Sequence, residues 1–359
     1  MNRTAYTTAL IVLLGSASAC ATVAGDFESR SERPDMRKAA IVRAQLWNPT
    51  DVRTMDVMLG PQGKGAFPFR APVNCDYVDK KLGGDSPKFA CVIGKDDEVK
   101  VKYGAGNGEV FGEVLSTRLL WALGFMADRM YPVNVICRGC PAEFGGIERP
   151  GQESRFDPAV IERKAEGMEW PSEATSAWSW DELDFTNPEL GGAPKEQRDA
   201  LKLLAVFIQH TDSKPEQQRI VCLSRGGAST CDRPFLMLND VGLTFGRANR
   251  TNANEAGSVN LGAWRRTPVW KNDTGCTGNL PKSLTGTLDD PAISEEGRRF
   301  LANLLVQLSD RQIRDLFDVS RVELRLRSPG DVSSGFATVD EWIDGFKEKR
   351  TQIVDRRCA

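Results

Sequence analysis

Histidine is almost missing from this chain: His210 stands alone among 359 residues. A multi-histidine metal site is thereby excluded, and a Ser-His-Asp or Cys-His hydrolase would have to be built around that one imidazole. Long apolar runs are scarce too, and Ala9–Leu14 near the N-terminus is too short to span a bilayer. Charge of one sign is not in excess. The net charge is -2, so no global basic field invites nucleic acid, and none is expected as a partner. Internal repeats and low-complexity tracts are absent, which removes solenoid and fibrous classes. What is present, 40% hydrophobic and 27% charged residues, describes a globular chain with enough sequence for one large or two medium domains.

The first residues read as an export signal over 1–19, with Arg3, the apolar Ala9–Leu14 and the small-residue run Ala17-Ser18-Ala19 before Cys20. Cys20 stands where a bacterial lipoprotein signal places its lipidated cysteine, so the expected location is the cell envelope, with the membrane touched by a lipid anchor only. The alternative is plain cleavage after Ala19, leaving a periplasmic protein. Residues 20–40, polar and charged, are expected to form a mobile tether. With Cys20 set aside, eight of the nine cysteines remain, an even number that in an exported chain reads as a disulfide set. Local pairs are Cys75 with Cys91, Cys137 with Cys140 and Cys222 with Cys231, which leaves Cys276 with Cys358. A redox or zinc-binding role for Cys137-Arg-Gly-Cys140 is the alternative, although no second CxxC or histidine group accompanies it.

Two regions follow. Residues 41–137 are strand-rich, with a hairpin from Lys88–Ile93 and Val99–Tyr103 around a polar loop. One helix interrupts them at Glu109–Leu123, where apolar residues recur at helical spacing before Gly124. Residues 138–359 are mainly helical. Short helices are predicted near 157–167 and 179–184, a confident amphipathic one over Lys195–Gln209, and others near 293–308, 310–317 and 338–354. The fold class expected is α+β.

The chemistry concentrates after the 195–209 helix. His210-Thr-Asp212-Ser-Lys214-Pro-Glu-Gln217 is followed by two apolar runs, Arg219–Leu223 and Phe235–Leu238, and then by Asp240-Val-Gly242. Phosphoryl transfer needs a carboxylate to orient the attacking hydroxyl, a cation beside the moving phosphate, and a carboxylate with an amide to hold a metal ion. The stretch resembles the protein-kinase-like superfamily, whose catalytic loop reads HRDxKPEN and whose metal-binding motif reads DFG. The relatives it suggests are the divergent ones, of HipA, phosphoinositide-kinase or secretory-kinase type. The resemblance implies a two-lobed fold and ATP with magnesium or manganese as cofactors. It assigns Asp212 as the base, Lys214 as the cation at the transferring phosphate, and Asp240 with Gln217 as metal ligands. Lys102 would contact donor phosphates while paired with Glu113, with Lys100 and Glu109 as rivals on the same faces. Gly63 and Gly65, in Gly60–Phe67, would belong to a phosphate-covering loop. Gln217 departs from the family's asparagine, which puts a second metal site in doubt.

These residues leave two function classes open. One is a phosphotransferase acting on a hydroxyl-bearing acceptor. The other is a non-catalytic lipoprotein on a pseudokinase-like scaffold that binds an anionic or sugar ligand and needs no cofactor. The bacterial periplasm, which is not expected to hold free nucleoside triphosphate, favours the second. Among the eight tryptophans, Trp170, Trp178, Trp180, Trp264 and Trp270 are expected in the core, with a stacking platform for a base or sugar as the alternative.

Overall fold

The computed structural model describes residues 24–141, 153–227, 229–246, 258–325 and 337–358. The signal segment 1–19 and Cys20 lie outside them. The architecture is α+β, β-rich in its N-terminal region and largely helical in its C-terminal region.

Helix α1 (Ala24–Arg43) opens the described chain, where a tether was expected. Its last turns bury Ala40 and Ile41, and Arg37 makes a two-pronged ion pair with Glu182 while donating to the carbonyl of Ala177. The charged composition of this segment hid an apolar edge (Met36, Ala40, Ile41) that docks on the helical region.

Five strands then close a barrel: β1 (Pro72–Val78), β2 (Lys88–Ile93), β3 (Asp97–Tyr103), β4 (Arg129–Arg138) and β5 (Glu153–Arg163), in the order β1-β2-β3-β5-β4. β1 and β4 run parallel, and the other neighbours are antiparallel. Closure removes free edges, and alternate side chains such as Val73, Phe89, Val99, Val101, Tyr131, Val133 and Ile161 fill the interior. β5 corrects the helix predicted near 157–167. The run Phe156–Ile161 is apolar almost throughout, and such a run cannot tell a strand buried on both faces from a buried helix. It also carries the barrel beyond residue 137, where the strand-rich region was expected to end. Helix α2 (Glu109–Ala122) crosses between β3 and β4 and is buried on nearly every side, including the polar Glu113, Ser116, Thr117 and Arg118.

Past Arg163 the chain enters the second region. β6 (Met168–Glu169), β7 (Gln218–Cys222) and β10 (Pro234–Leu238) form a small sheet in the order β10-β7-β6, and β8 (Arg225–Gly227) with β9 (Thr230–Cys231) makes a hairpin tip. α3 (Lys195–Ile208) packs on α5 (Glu295–Leu305), and α4 (Leu261–Arg266), α6 (Asp310–Ser320) and α7 (Val339–Val354) complete the layer. Ser294, Ser309 and Thr338 each accept a hydrogen bond from the backbone N–H three residues on. They cap the helices where their sequences begin. Phe207, Phe245, Trp264, Phe317, Trp342 and Phe346 meet edge to face or tilted in the core. All five tryptophans singled out in the sequence are buried. The four expected disulfides are formed: Cys75–Cys91, Cys137–Cys140, Cys222–Cys231 and Cys276–Cys358.

Candidate functional site

The two regions meet across a cleft of about 440 Å³, lined by Glu109 of α2, by Asp212, Lys214 and Gln217, and by Asn239 and Asp240. Each residue is placed by local structure. α3 ends on Gln209 in the left-handed conformation (φ 54°), which turns the chain sharply into 210–217. Pro215 starts a single 3₁₀ turn over Pro215–Gln217 that leads into β7. β10 pairs with β7 in register and ends at Leu238, so Asn239 and Asp240 emerge beside the 212–217 segment. The backbone N–H groups of both donate to the carbonyl of Gln217, at 2.8 and 3.4 Å. The Cys222–Cys231 disulfide closes the far end of this hairpin.

Asp212 is 6% exposed, with Lys214 Nζ at 3.4 Å from its Oδ2. Gln217 Nε2 donates to the same oxygen at 2.8 Å. Gln217, expected as a metal ligand, uses its amide nitrogen to hold Asp212, and its backbone carbonyl joins it to Asp240.

Those carboxylates are Glu109 and Glu113, on one face of α2 at i and i+4. One oxygen from each of Glu109, Glu113 and Asp240 lies within 4.8 Å of the others. Lys102, 2% exposed, reaches into the group, with Nζ at 2.6 Å from Glu109, 2.5 Å from Glu113 and 3.9 Å from Asp240. Lys100 has a different partner, Glu162, directly opposite it on β5. Lys102 pairs with both of the rival glutamates.

Three carboxylates against one ammonium leave an excess of negative charge in a dry place, and the titration of the group follows from that. Burial works against the Lys102 ammonium, but Asp240, Glu113 and Glu109 outweigh it and hold its pKa well above the usual lysine value. Burial opposes the Asp240 charge as well, yet Lys102 and Lys100 pull its pKa below the ordinary carboxylate value. Glu113 takes the surplus: burial, with Asp240 and Glu109 adding repulsion, pushes its pKa well up against the pull of Lys102. Its Oε2 is buried and has no hydrogen-bond partner. A divalent cation fits this set by charge and by its all-oxygen donors, and it would satisfy the orphaned oxygen. Glu109, Glu113 and Asp240 are the residues that would hold it.

Two glycines set the spacing. A Cβ on Gly112 of α2 would lie 2.2 Å from the carbonyl oxygen of Gly242, and one on Gly242 would lie 2.7 Å from the Glu109 side chain. α2 therefore rides directly on the Asp240–Gly242 backbone. Gly63 and Gly65 lie away from the cleft. Their segment covers the barrel beside Arg129 and Arg163, with Arg163 Nε donating to the Gly65 carbonyl and Tyr131 donating to that of Pro61. The loop that does border the cleft joins β1 to β2, and Gly83, Gly84, Asp85 and Ser86 line it. Ser86 Oγ donates to Glu109 at 2.8 Å. The sequence signal for this loop is the Gly83-Gly84 pair between two alternating strand patterns.

His210 is fully buried with its ring centroid 6.2 Å from that of Trp180, and neither ring nitrogen has a hydrogen-bond partner. Burial holds its pKa below the usual value against the pull of Asp212 and Asp240. It does not line the cleft, so the sole imidazole is not placed to act on a ligand there.

No family model matches the chain, and no curated protein matches it. Among solved structures it is similar to the crystal structure of a Helicobacter pylori proinflammatory kinase, CtkA. The identity is 12%, the TM-score is 0.41, and the alignment covers 78% of this chain and 94% of that one. A likeness at that TM-score carries no weight for function, which rests on the geometry of the cleft.

Proposed function

We propose that the protein is a kinase-like phosphotransferase of the cell envelope that moves a phosphoryl group onto a hydroxyl acceptor. The observation that carries this reading is the convergence of Asp212, Lys214, Asp240 and Glu109 on one cleft, with the buried Lys102–Glu113 pair in contact with Glu109. Asp212, held by Gln217, would orient the acceptor hydroxyl and take its proton. Lys214, 33% exposed, is free enough to swing from Asp212 toward an incoming phosphate. A divalent cation on Asp240 and Glu109 would supply neutralising charge for the donor phosphates. Lys102 would contact the donor only by giving up one of its glutamates, and Glu109, 14% exposed, is the one nearer the cleft. Four disulfides support an oxidising compartment such as the periplasm.

One feature favours the second reading, a ligand-binding module on the same scaffold. Lys102 already sits among the three carboxylates as their counter-ion. The two readings separate in a transfer assay with Mn²⁺, a labelled phosphoryl donor and a mixed pool of envelope glycans and peptides. Transfer abolished by Asp212→Asn supports the enzyme. Ligand-induced stabilisation without transfer supports the binding module.

A further inference from the structure

The cleft has little that a nucleobase could lie against. Among the described residues lining it, Leu243 is the one large apolar side chain, and none is aromatic. Trp170, Trp178 and Trp180 are all in the core. Sites that hold a flat heterocycle press it between apolar or aromatic faces and read its edge with a few polar groups. This cleft is bordered by charge. A chain of ion pairs crosses from the barrel to β7: Lys100 to Glu162, Glu162 to Lys164 at 3.7 Å, Lys164 to Glu169 at 3.9 Å, and Glu169 to Arg219 at 3.3 Å. It reaches the cleft at Arg219 and at Asn239, which accepts from Lys164 at 3.4 Å.

The same cleft offers cations to an anion. Lys88, half-buried on β2, projects into it and forms no ion pair among the described residues, its contact being Ser86 Oγ at 3.2 Å. Burial and then the neighbouring Lys102 ammonium hold its pKa below the usual lysine value, against the pull of Glu109 and Asp240. Lys214 and Arg219 face it from the opposite wall. Three cations around an acidic cluster form the polar complement of a metal-bound phosphate chain.

We propose that the ligand of this cleft is the divalent-metal complex of a base-free phosphate chain, pyrophosphate or longer. The proposal rests on the phosphotransfer reading above and names its donor. In the transfer, the acceptor oxygen bonds to the terminal phosphorus as the bond from that phosphorus to the bridging oxygen breaks. The electron pair leaves with the shortened chain, and the hydroxyl proton passes to Asp212. Such a donor needs no nucleotide supply outside the cytoplasm.

Titration calorimetry of the full chain tests this, with Mn²⁺ held constant and tripolyphosphate, pyrophosphate and ATP as titrants. Tripolyphosphate is expected to bind at least as tightly as ATP, and Lys88→Met to weaken both about tenfold. ATP binding tenfold or more tightly than tripolyphosphate would assign the adenosine a site of its own and overturn the inference while leaving the phosphotransfer reading intact. If Mn²⁺ binds and none of the three phosphate compounds does, the phosphotransfer reading fails along with it. An unchanged affinity in Lys88→Met refutes the role given to that lysine and the anion site built on it.

Discussion

Replacing Lys102 by methionine removes the ammonium that lies 2.5 Å from Glu113 and 2.6 Å from Glu109 while keeping most of the side chain's volume. The three carboxylates are left facing one another with no internal counter-ion. Deleting one partner of a buried ion pair typically costs about 3–5 kcal/mol, because the remaining charge stays desolvated. At 2% exposure Lys102 is in that regime. The variant should therefore lose about 3–5 kcal/mol of unfolding free energy at pH 7, measured by guanidinium titration without divalent ions. The loss should narrow as the pH falls, since carboxylates deprived of the ammonium take up protons more readily in the fold. Manganese should act in the opposite sense. A cation present at 100 times its dissociation constant adds about 2.7 kcal/mol of stability. The variant, with one more uncompensated negative charge, should bind it more tightly than the natural protein. A variant of undiminished stability would refute the claim that Lys102 is the counter-ion of the cluster. Equal gains from Mn²⁺ in both proteins would refute the assignment of the metal to Glu109, Glu113 and Asp240.

Lys349 of α7 gives a pH test far from the cleft. It is 1% exposed, donates to the Thr267 carbonyl and lies over the Trp264 ring, and burial pulls its pKa down to about 7 from 10.5. Between those values the unfolded chain binds more protons than the fold, so stability should climb as pH rises from 7 toward 10, by at most about 1.4 kcal/mol per pH unit. Lys349→Met should flatten that climb, and parallel pH profiles for the two proteins would count against it. Gly112→Ala forces a methyl into the Gly242 carbonyl and should cost about 1–3 kcal/mol together with a weaker Mn²⁺ response, both read by thermal unfolding. Removing the Cys276–Cys358 disulfide, which closes an 82-residue separation, should cost about 4 kcal/mol in the same assay. Loss of Cys137–Cys140, only three residues apart, should cost less than half of that.

The parts of the fold that could be read in the sequence are those with strong local rules. α3 announces itself by apolar residues at helical spacing, and the 88–103 hairpin by alternation. Three of the disulfides are suggested by close spacing, and Cys276 with Cys358 is what those pairs leave. In the site, Asp212 and Asp240 were visible because short polar motifs flank unmistakable strands. Three things were not visible. Glu109 and Glu113 were rivals in sequence because each is one helical turn from the other, and only the depth of Lys102 between them decides that both are used. The role of Gln217 depends on which end of its amide meets Asp212, which no spacing reports. The ion-pair chain from Lys100 to Arg219 joins four strands and a connector, so its members are ordinary surface charges until tertiary structure lines them up.

The disulfide map has a mechanical consequence. Cys75–Cys91 and Cys137–Cys140 lie within the barrel, while Cys222–Cys231 and Cys276–Cys358 lie within the helical region. Oxidation thus hardens each wall of the cleft separately, and across the gap the main chain is the only covalent link these pairs leave. What joins the walls is packing: α2 shares one buried apolar cluster with the helical region, Gly112 lies against the Gly242 carbonyl, and Ser116 hydrogen-bonds Thr244. Reduction would therefore slacken each wall by itself and leave the packing between them, which no disulfide reinforces, in place.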